Sequence, residues 1–146
     1  MLASPMSTDV VKYSYQPLDN ESFRLLYLSP GSGTGVVACS LRNVSFKSGL
    51  KNSYETISYV WGNPQIRATV QLDGHCVSVP RSSHDVLRAV RSPERARCVW
   101  IDAICMNQDD LAERSQQVMI MAGIYMSSVG NLIFLSDDDG TAEAAL

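Results

Sequence analysis

Apolar and polar positions along the first eighty residues follow the pattern of β-strands. Residues 23–28 (FRLLYL) and 36–46 (VVACSLRNVSF) have the apolar and β-branched density of strands, and the Gly, Ser and Pro between them are typical of a loop. Residues 54–60 predict a third strand, which ends at the Gly-Asn-Pro turn of 62–64. We therefore expect a hairpin followed by a further strand.

A second hairpin is predicted in TVQLDGHCVSVP, residues 69–80. Its two alternating runs are joined by Asp73-Gly74, a dipeptide that tolerates the positive φ angles of a type I′ turn. The next segment, SSHDVLRAVRS at 82–92, has its apolar residues on one side and predicts a short helix. Ser82 or Ser83 is available as the N-cap of that helix.

Helix and strand patterns alternate in the rest of the chain. CVWIDAIC at 98–105 is continuously apolar and predicts a central strand, at about 99–103, that is buried on both faces. NLIFLS at 131–136 is the next predicted strand, and TAEAAL at 141–146 is predicted as a helix cut short by the chain end. Between the two strands, a helix is expected from Leu111 to about Ser127. One stripe of it can pack on the sheet: Leu111, Val118, Met121, Ala122 and Tyr125.

This order of elements predicts an α/β fold, with a mainly parallel sheet flanked by helices and an N-terminal β-hairpin region. Residues 1–12 are expected to be a flexible leader, and residues 13–146 a single domain. Ligands of such sheets bind at the carboxyl ends of the strands, where Asp102 and the Asn107-Gln108 pair are expected.

Composition narrows the function classes. The chain has 146 residues, of which 45% are hydrophobic and 18% charged, as in one globular domain. The net charge of -3 and the scattered Lys and Arg give no basic face for nucleic acid. No apolar run is long enough to span a bilayer and no secretory pattern opens the chain, so we expect a cytoplasmic protein. The four isolated cysteines suit reduced thiols.

Acidic residues cluster after the predicted strand at 99–103. Asp102 would be costly to bury alone, so it is either paired with Arg114 or turned towards a ligand. Asp109 or Asp110 can cap the following helix, and Asp110 with Glu113 has the spacing of a capping box. Capping alone would explain these three residues, which leaves their role in a binding site open.

Candidate ligand-binding residues flank this cluster. Trp61 ends a strand beside Gly62, which would let a ligand or another backbone approach closely, but an indole is also an ordinary core residue. Asn107 and Gln108 are two adjacent amides in a loop, and turn bonding by Asn is their simpler explanation. A hydrolase using Cys105 lacks a recognisable base, and two histidines without HExxH make a zinc site unexpected.

Several segments together resemble the fungal heterokaryon incompatibility (HET) domain. They are YSYQPL, FRLLYLSPG, YETISYVWG, the LDGHCVSVP hairpin with SSHDVLRAVR, and VWIDAICMNQDDLAERSQQVMIMAGIY. The resemblance covers about residues 13–136, with Met106 where isoleucine or leucine is usual. It implies a domain of non-self recognition whose activation triggers programmed cell death, and a fold similar to Toll-receptor-like (TIR) domains.

The resemblance to TIR domains also implies a candidate reaction. Some TIR domains cleave NAD with a glutamate on the helix after the third strand, which points to Glu143, although DDDGTAEAAL does not reproduce their motif. NAD is then a substrate, and no cofactor is expected. The carboxylates to consider are Glu143, Asp102 and Glu113, with Trp61, Gly62, Asn107, Gln108 and Arg114 as ligand-binding residues. The alternative is a non-enzymatic module that signals by self-association or with other signalling domains.

Overall fold

The computed structural model describes residues 9–48, 53–136 and 141–143. Within these ranges, nine strands form one mixed sheet in the order β1-β6-β5-β3-β2-β7-β4-β8-β9. The strands are β1 (Val10–Val11), β2 (Ser22–Leu28), β3 (Ala38–Ser45), β4 (Glu55–Tyr59), β5 (Arg67–Leu72), β6 (His75–Pro80), β7 (Arg97–Trp100), β8 (Gly130–Ser136) and β9 (Thr141–Glu143). The α-helices in these ranges are α1 (Arg81–Val90), α2 (Asp102–Cys105) and α3 (Leu111–Met126), and a 3-10 turn covers Phe46–Ser48.

Both predicted hairpins are confirmed. β2 pairs antiparallel with β3, and β5 pairs antiparallel with β6. Asp73 and Gly74 have φ angles of 51° and 83°, as a type I′ turn requires. Local turn chemistry therefore specifies the β5–β6 hairpin without any contribution from distant contacts.

One part of the sheet is parallel, and it consists of the three strands that lead to the predicted site. β4 lies between β7 and β8 and pairs parallel with both, through registers such as Thr56 with Trp100 and Ile57 with Leu132. The carboxyl ends of these three strands therefore lie side by side.

The prediction of a mainly parallel sheet is wrong for the molecule as a whole. Four neighbouring strand pairs are parallel and four are antiparallel. The reason is that strands joined by short loops pair antiparallel, and the β2–β3 hairpin also lies antiparallel against β7. The observed fold is a mixed α/β fold with a partly parallel sheet.

The apolar segment at 98–105 is only partly a strand. β7 ends at Trp100, and Asp102–Cys105 forms the single helical turn α2, in which the Cys105 amide donates to the Ile101 carbonyl at 2.8 Å. Ile104 and Cys105 are buried in this turn. A short buried apolar run has no periodicity that separates strand from helix, which explains the error.

The predicted last helix is also wrong where the structure describes it. Thr141–Glu143 is strand β9, which pairs antiparallel with β8 and aligns Glu143 with Ile133. Residues 144–146 lie outside the described residues. At the other end of the chain, residues 1–8 also lie outside them, while Val10–Val11 forms a parallel strand against β6.

Helix α3 has the predicted length but turns a different face to the core. Gln117 and Ile124 are buried, and Met121 and Tyr125 pack against the core. Leu111 and Val118, expected to face the sheet, are exposed. Residues 115–126 contain no charged side chain, so the apolar pattern could not tell the two sides of the helix apart.

No helix in the described part of the chain is both long enough and apolar enough to cross a membrane.

Candidate functional site

Trp61 lies two residues after the end of β4 and connects three parts of the fold. Its indole Nε1 donates to Asp102 Oδ1 at 3.3 Å, and its carbonyl accepts a hydrogen bond from the Ser82 hydroxyl of α1. Gly62, the next residue, has a φ of 65°, a left-handed conformation that favours glycine. The chain therefore turns sharply after Trp61, beside the first residue of α2.

Tyr59 supports Trp61 from β4. The two rings are stacked, with centroids 6.4 Å apart and planes inclined by 16°, and the Tyr59 hydroxyl lies 2.8 Å from Ser83 Oγ. The predicted capping role of Ser82 and Ser83 is wrong, because α1 begins after Pro80 without a side-chain cap. Their hydroxyls bind the two aromatic residues instead, which ties α1 to the end of β4.

Asp102 is partly buried and has neutral hydrogen-bond partners. Its carboxylate accepts from Trp61, and its carbonyl accepts from Gln108 Nε2 at 2.9 Å. Burial raises the pKa of Asp102, while hydrogen bonds from backbone amides and from Trp61 oppose the shift. The predicted pair with Arg114 is not among the ion pairs of the described residues, and Arg114 is exposed.

A cleft of about 910 Å³ opens beside this cluster. Trp61, Ala103, Asn107 and Gln108 line it. The other lining residues include the N-terminal residues Val10, Val11, Lys12, Tyr13 and Tyr15, and Leu72, Val77 and Val79 of strands β5 and β6. The Asp102 carboxylate is not among the lining groups and is linked to the cleft through the Trp61 indole.

Charged residues lie on the rim of this cleft. Lys12 Nζ is 3.5 Å from Asp109 Oδ2, and both side chains are largely exposed. Arg67 lines the cleft and binds the Ser78 hydroxyl and carbonyl at 2.9 and 3.0 Å. The cleft thus combines apolar lining residues with polar and charged ones, the usual composition of a small-molecule site.

A smaller cleft of about 480 Å³ lies against the same indole. It is bordered by Trp61 and Gly62, by Ser82 and Asp85 of α1, and by Phe134 of β8. Trp61 therefore lines both clefts at the carboxyl edge of the parallel strands.

Glu113 has a different environment from Asp102. Both of its carboxylate oxygens accept from Arg24, at 2.9 and 2.6 Å, and one of them also accepts from the Asn107 amide at 2.6 Å. The side chains of Arg24 and Glu113 are only 2% and 9% exposed. The structure therefore places this predicted catalytic carboxylate in a buried ion pair.

Sequence reasoning missed Arg24. Its guanidinium also donates to the carbonyls of Cys105 and Gln16, at 3.1 and 2.8 Å, and lies 4.6 Å from the centroid of the Tyr15 ring. The available signal was an arginine inside the apolar strand FRLLYL, because an Arg is seldom buried without a partner.

The capping prediction is confirmed for Asp110. Its carboxylate accepts from the Glu113 amide at 3.1 Å. The reciprocal half of a capping box is absent here, since the Glu113 carboxylate binds the Asn107 amide. Asn107 in turn accepts from the Asp109 amide at 3.2 Å, which is the turn bonding expected of Asn.

The described residues offer neither a reactive Cys105 nor a metal cluster as an alternative site. Cys105 is fully buried, and burial raises the pKa of its thiol, which disfavours the nucleophilic thiolate. Within residues 9–48, 53–136 and 141–143, no group of three or more His, Cys, Asp or Glu side chains could hold a metal ion.

Glu143 is not brought next to Asp102. Its strand β9 is three strands away from β7 in the sheet order, roughly 14 Å at the usual strand spacing. Asp102 and Glu113 both contact residues of the cleft, through the Trp61 indole and the Asn107 amide, but Glu113 is already paired with Arg24.

Comparison with known proteins gives the family of this chain. Heterokaryon incompatibility protein 6, OR allele, of Neurospora crassa is 31% identical over an alignment of 170 positions, which covers 99% of this chain and 25% of that protein. The chain thus spans about a quarter of the length of this curated relative. No solved structure matches it. Residues 54–146, more than half of the chain, match the heterokaryon incompatibility protein (HET) family, and the chain belongs to that family.

Proposed function

We propose that the chain is an effector domain of fungal non-self recognition that acts in the cytoplasm by cleaving NAD. The name of its Neurospora relative describes a heterokaryon incompatibility protein. The likeness of HET domains to TIR domains suggests the reaction, in which the bond between nicotinamide and ribose is broken. The proposed site is the larger cleft, at the Trp61–Asp102 hydrogen bond.

The observation that carries this proposal is the position of Trp61. Its ring lies on the cleft wall and its Nε1 holds the Asp102 carboxylate at 3.3 Å, at the carboxyl edge of three parallel strands. Ligands of parallel sheets bind at this edge. An indole can stack on a nicotinamide or adenine ring, while Asn107 on the same wall can bind a ribose hydroxyl.

The reaction assigns Asp102 an electrostatic role. Nicotinamide leaves with the electron pair of the bond to ribose, water adds to the ribose carbon, and the water loses a proton. The transition state resembles an oxocarbenium ion, which a nearby carboxylate stabilises. Glu113 is already neutralised by Arg24, whereas Asp102 has no cationic partner among the described residues. Access of Asp102 to the ribose then requires the Trp61 side chain to shift when the substrate enters.

The test is nicotinamide release from NAD by the purified chain, followed by chromatography. We expect release by the parent protein and its loss in Asp102→Asn, which keeps an oxygen to accept from Trp61. Glu94→Gln removes an exposed carboxylate from another loop and is the matched control, with unchanged release expected. Equal release by Asp102→Asn and the parent protein would contradict the assignment of Asp102. A folded parent protein that releases no nicotinamide would contradict NAD cleavage by this chain.

A second candidate function is a non-enzymatic module that signals by self-association. The exposed side of α3 favours it, because this side is uncharged from Ser115 to Met126. Expression in a fungal host separates the two candidates. Cell death by the enzyme should be lost with Asp102→Asn, whereas cell death by self-association should survive that change and be lost when assembly is lost.

A further inference from the structure

Helix α3 carries an apolar surface on the side that faces away from the sheet. Leu111, Val118, Met119 and Met126 are 70%, 54%, 83% and 81% exposed. At 100° per residue, they fall within about 100° of one another, together with the exposed small residues of the same face. We define the α3 stripe as Leu111, Ser115, Val118, Met119, Ala122 and Met126.

The α3 stripe differs from an ordinary solvent face because it lacks charge. Residues 115–126 contain no Asp, Glu, Lys or Arg, although the opposite side of α3 already packs on the core through Gln117 and Ile124. A helix that is apolar on both sides is typical of one covered on both sides. Exposed contiguous apolar patches of this kind mark interaction sites.

The order of residues along the stripe indicates what covers it. The stripe is symmetric about the midpoint between Val118 and Met119. Reversing the helix about that point exchanges Leu111 with Met126 and Ser115 with Ala122. Large residues therefore face large ones at the ends and centre, and small residues face small ones between them. This is the self-complementary arrangement that a two-fold axis requires.

We propose that the α3 stripe is the interface of a homodimer, in which α3 packs antiparallel against α3 of a second copy of this chain. The proposal names the partner in the second candidate function, and it is independent of NAD cleavage. Each copy of the chain has a net charge of -3. Two copies can still approach at the stripe, because its residues are uncharged and place no like charges against each other. The small residues at Ser115 and Ala122 allow the helix axes to come close.

The area is compatible with a reversible dimer. Each copy offers a patch of roughly 400 to 500 Å², in the range of the largest patches on monomers. Doubling it by the two-fold axis gives roughly 800 to 1,000 Å², at or just below the lower limit for specific association. We therefore expect a dimer that dissociates on dilution.

The first experiment is sedimentation velocity of the full chain over a concentration series. We expect a monomer–dimer equilibrium in the parent protein. Met119→Glu should weaken it by about 100-fold or more, because each dimer would bury two unpaired carboxylates. Val36→Glu is the control, since Val36 is exposed on a loop and lies outside the stripe. A parent protein that stays monomeric at every concentration, or equal weakening by Val36→Glu, would overturn the proposal.

The second experiment tests the antiparallel geometry by oxidative cross-linking. Position 119 lies next to the proposed axis, so Met119→Cys should cross-link with itself. Leu111 and Met126 are about 22 Å apart along the helix. Leu111→Cys and Met126→Cys should therefore form a cross-linked dimer only when the two variants are mixed. The parent protein, with its four native cysteines, is the background control. Self-linking of Leu111→Cys as strong as the mixed product would indicate another geometry and overturn the proposal.

Discussion

Asp102 and Glu113 lie eleven positions apart in one loop-and-helix segment, yet their surroundings are opposite. Glu113 receives two hydrogen bonds from Arg24 and one from the Asn107 amide, in a nearly solvent-free position. Asp102 receives a hydrogen bond from the neutral Trp61 indole, and burial raises its pKa. A buried ion pair leaves little capacity for a ligand, while a carboxylate with neutral partners keeps its charge for one. The difference indicates that Glu113 anchors α3 and that Asp102 is the candidate for chemistry.

The largest effect on stability is expected from breaking the ion pair between Arg24 and Glu113. Arg24→Met leaves the Glu113 carboxylate buried and unpaired, so the free energy of unfolding should fall by about 3–5 kcal/mol. Urea unfolding measures this change. The double variant Arg24→Met/Glu113→Leu removes both charges and should regain part of the loss. A double variant less stable than Arg24→Met alone would contradict the ion-pair explanation.

A smaller loss is expected at the cap of the same helix. Asp110→Ala removes the acceptor of the Glu113 amide and should lower the free energy of unfolding by about 1 kcal/mol. Asp109→Ala removes an exposed rim carboxylate whose ion pair with Lys12 is solvated, so its effect should be smaller. Thermal unfolding of the two variants compares neighbouring aspartates directly, and a larger loss for Asp109→Ala would reverse the assignment of the cap.

The effect of Asp102→Asn on stability should be smaller still. Asparagine keeps an oxygen that can accept from Trp61 and removes a charge that burial disfavours, so the free energy of unfolding should change by less than about 1 kcal/mol at neutral pH. The urea titration used for Arg24→Met gives the comparison. A loss as large as that of Arg24→Met would show that Asp102, too, is a structural anchor.

The pH dependence of the free energy of unfolding tests the environment of Asp102, and it should be the smallest of these effects. Burial raises the pKa of Asp102 above its ordinary value of 3.8, so the folded state takes up this proton before the unfolded state as the pH falls. The stabilisation from that proton is present at low pH and is lost as the pH rises through the folded-state pKa. Asp102→Asn has no such titration. Its stability relative to the parent protein should therefore be highest at neutral pH and decline as the pH falls towards 3.8.

Parallel unfolding titrations of the two proteins check this sign. A difference between them that does not vary with pH would show that Asp102 titrates as it does in the unfolded chain.

The predictable parts of the site came from local chemistry. Asp110 was expected to cap α3, and it does, because an acidic N-cap is satisfied by amides of its own first turn. Trp61 and Asp102 lie close together because they follow two strands, β4 and β7, that pair in parallel. The partner of Glu113 could not be predicted, since Arg24 is distant in sequence and reaches it only after β2 packs against the segment that follows β7.

The sequence by itself determined the two hairpins, the length of α3 and the membership of a fungal family, since turn residues, helical spacing and a long motif are local properties of the chain. Tertiary structure decided which carboxylate is neutralised, which side of α3 is buried and that Glu143 belongs to a strand. In each of these cases the local sequence allowed two alternatives: two carboxylates, two sides of a helix, or a helix and a strand. The choice between them came from burial against segments distant in the chain, which no local pattern encodes.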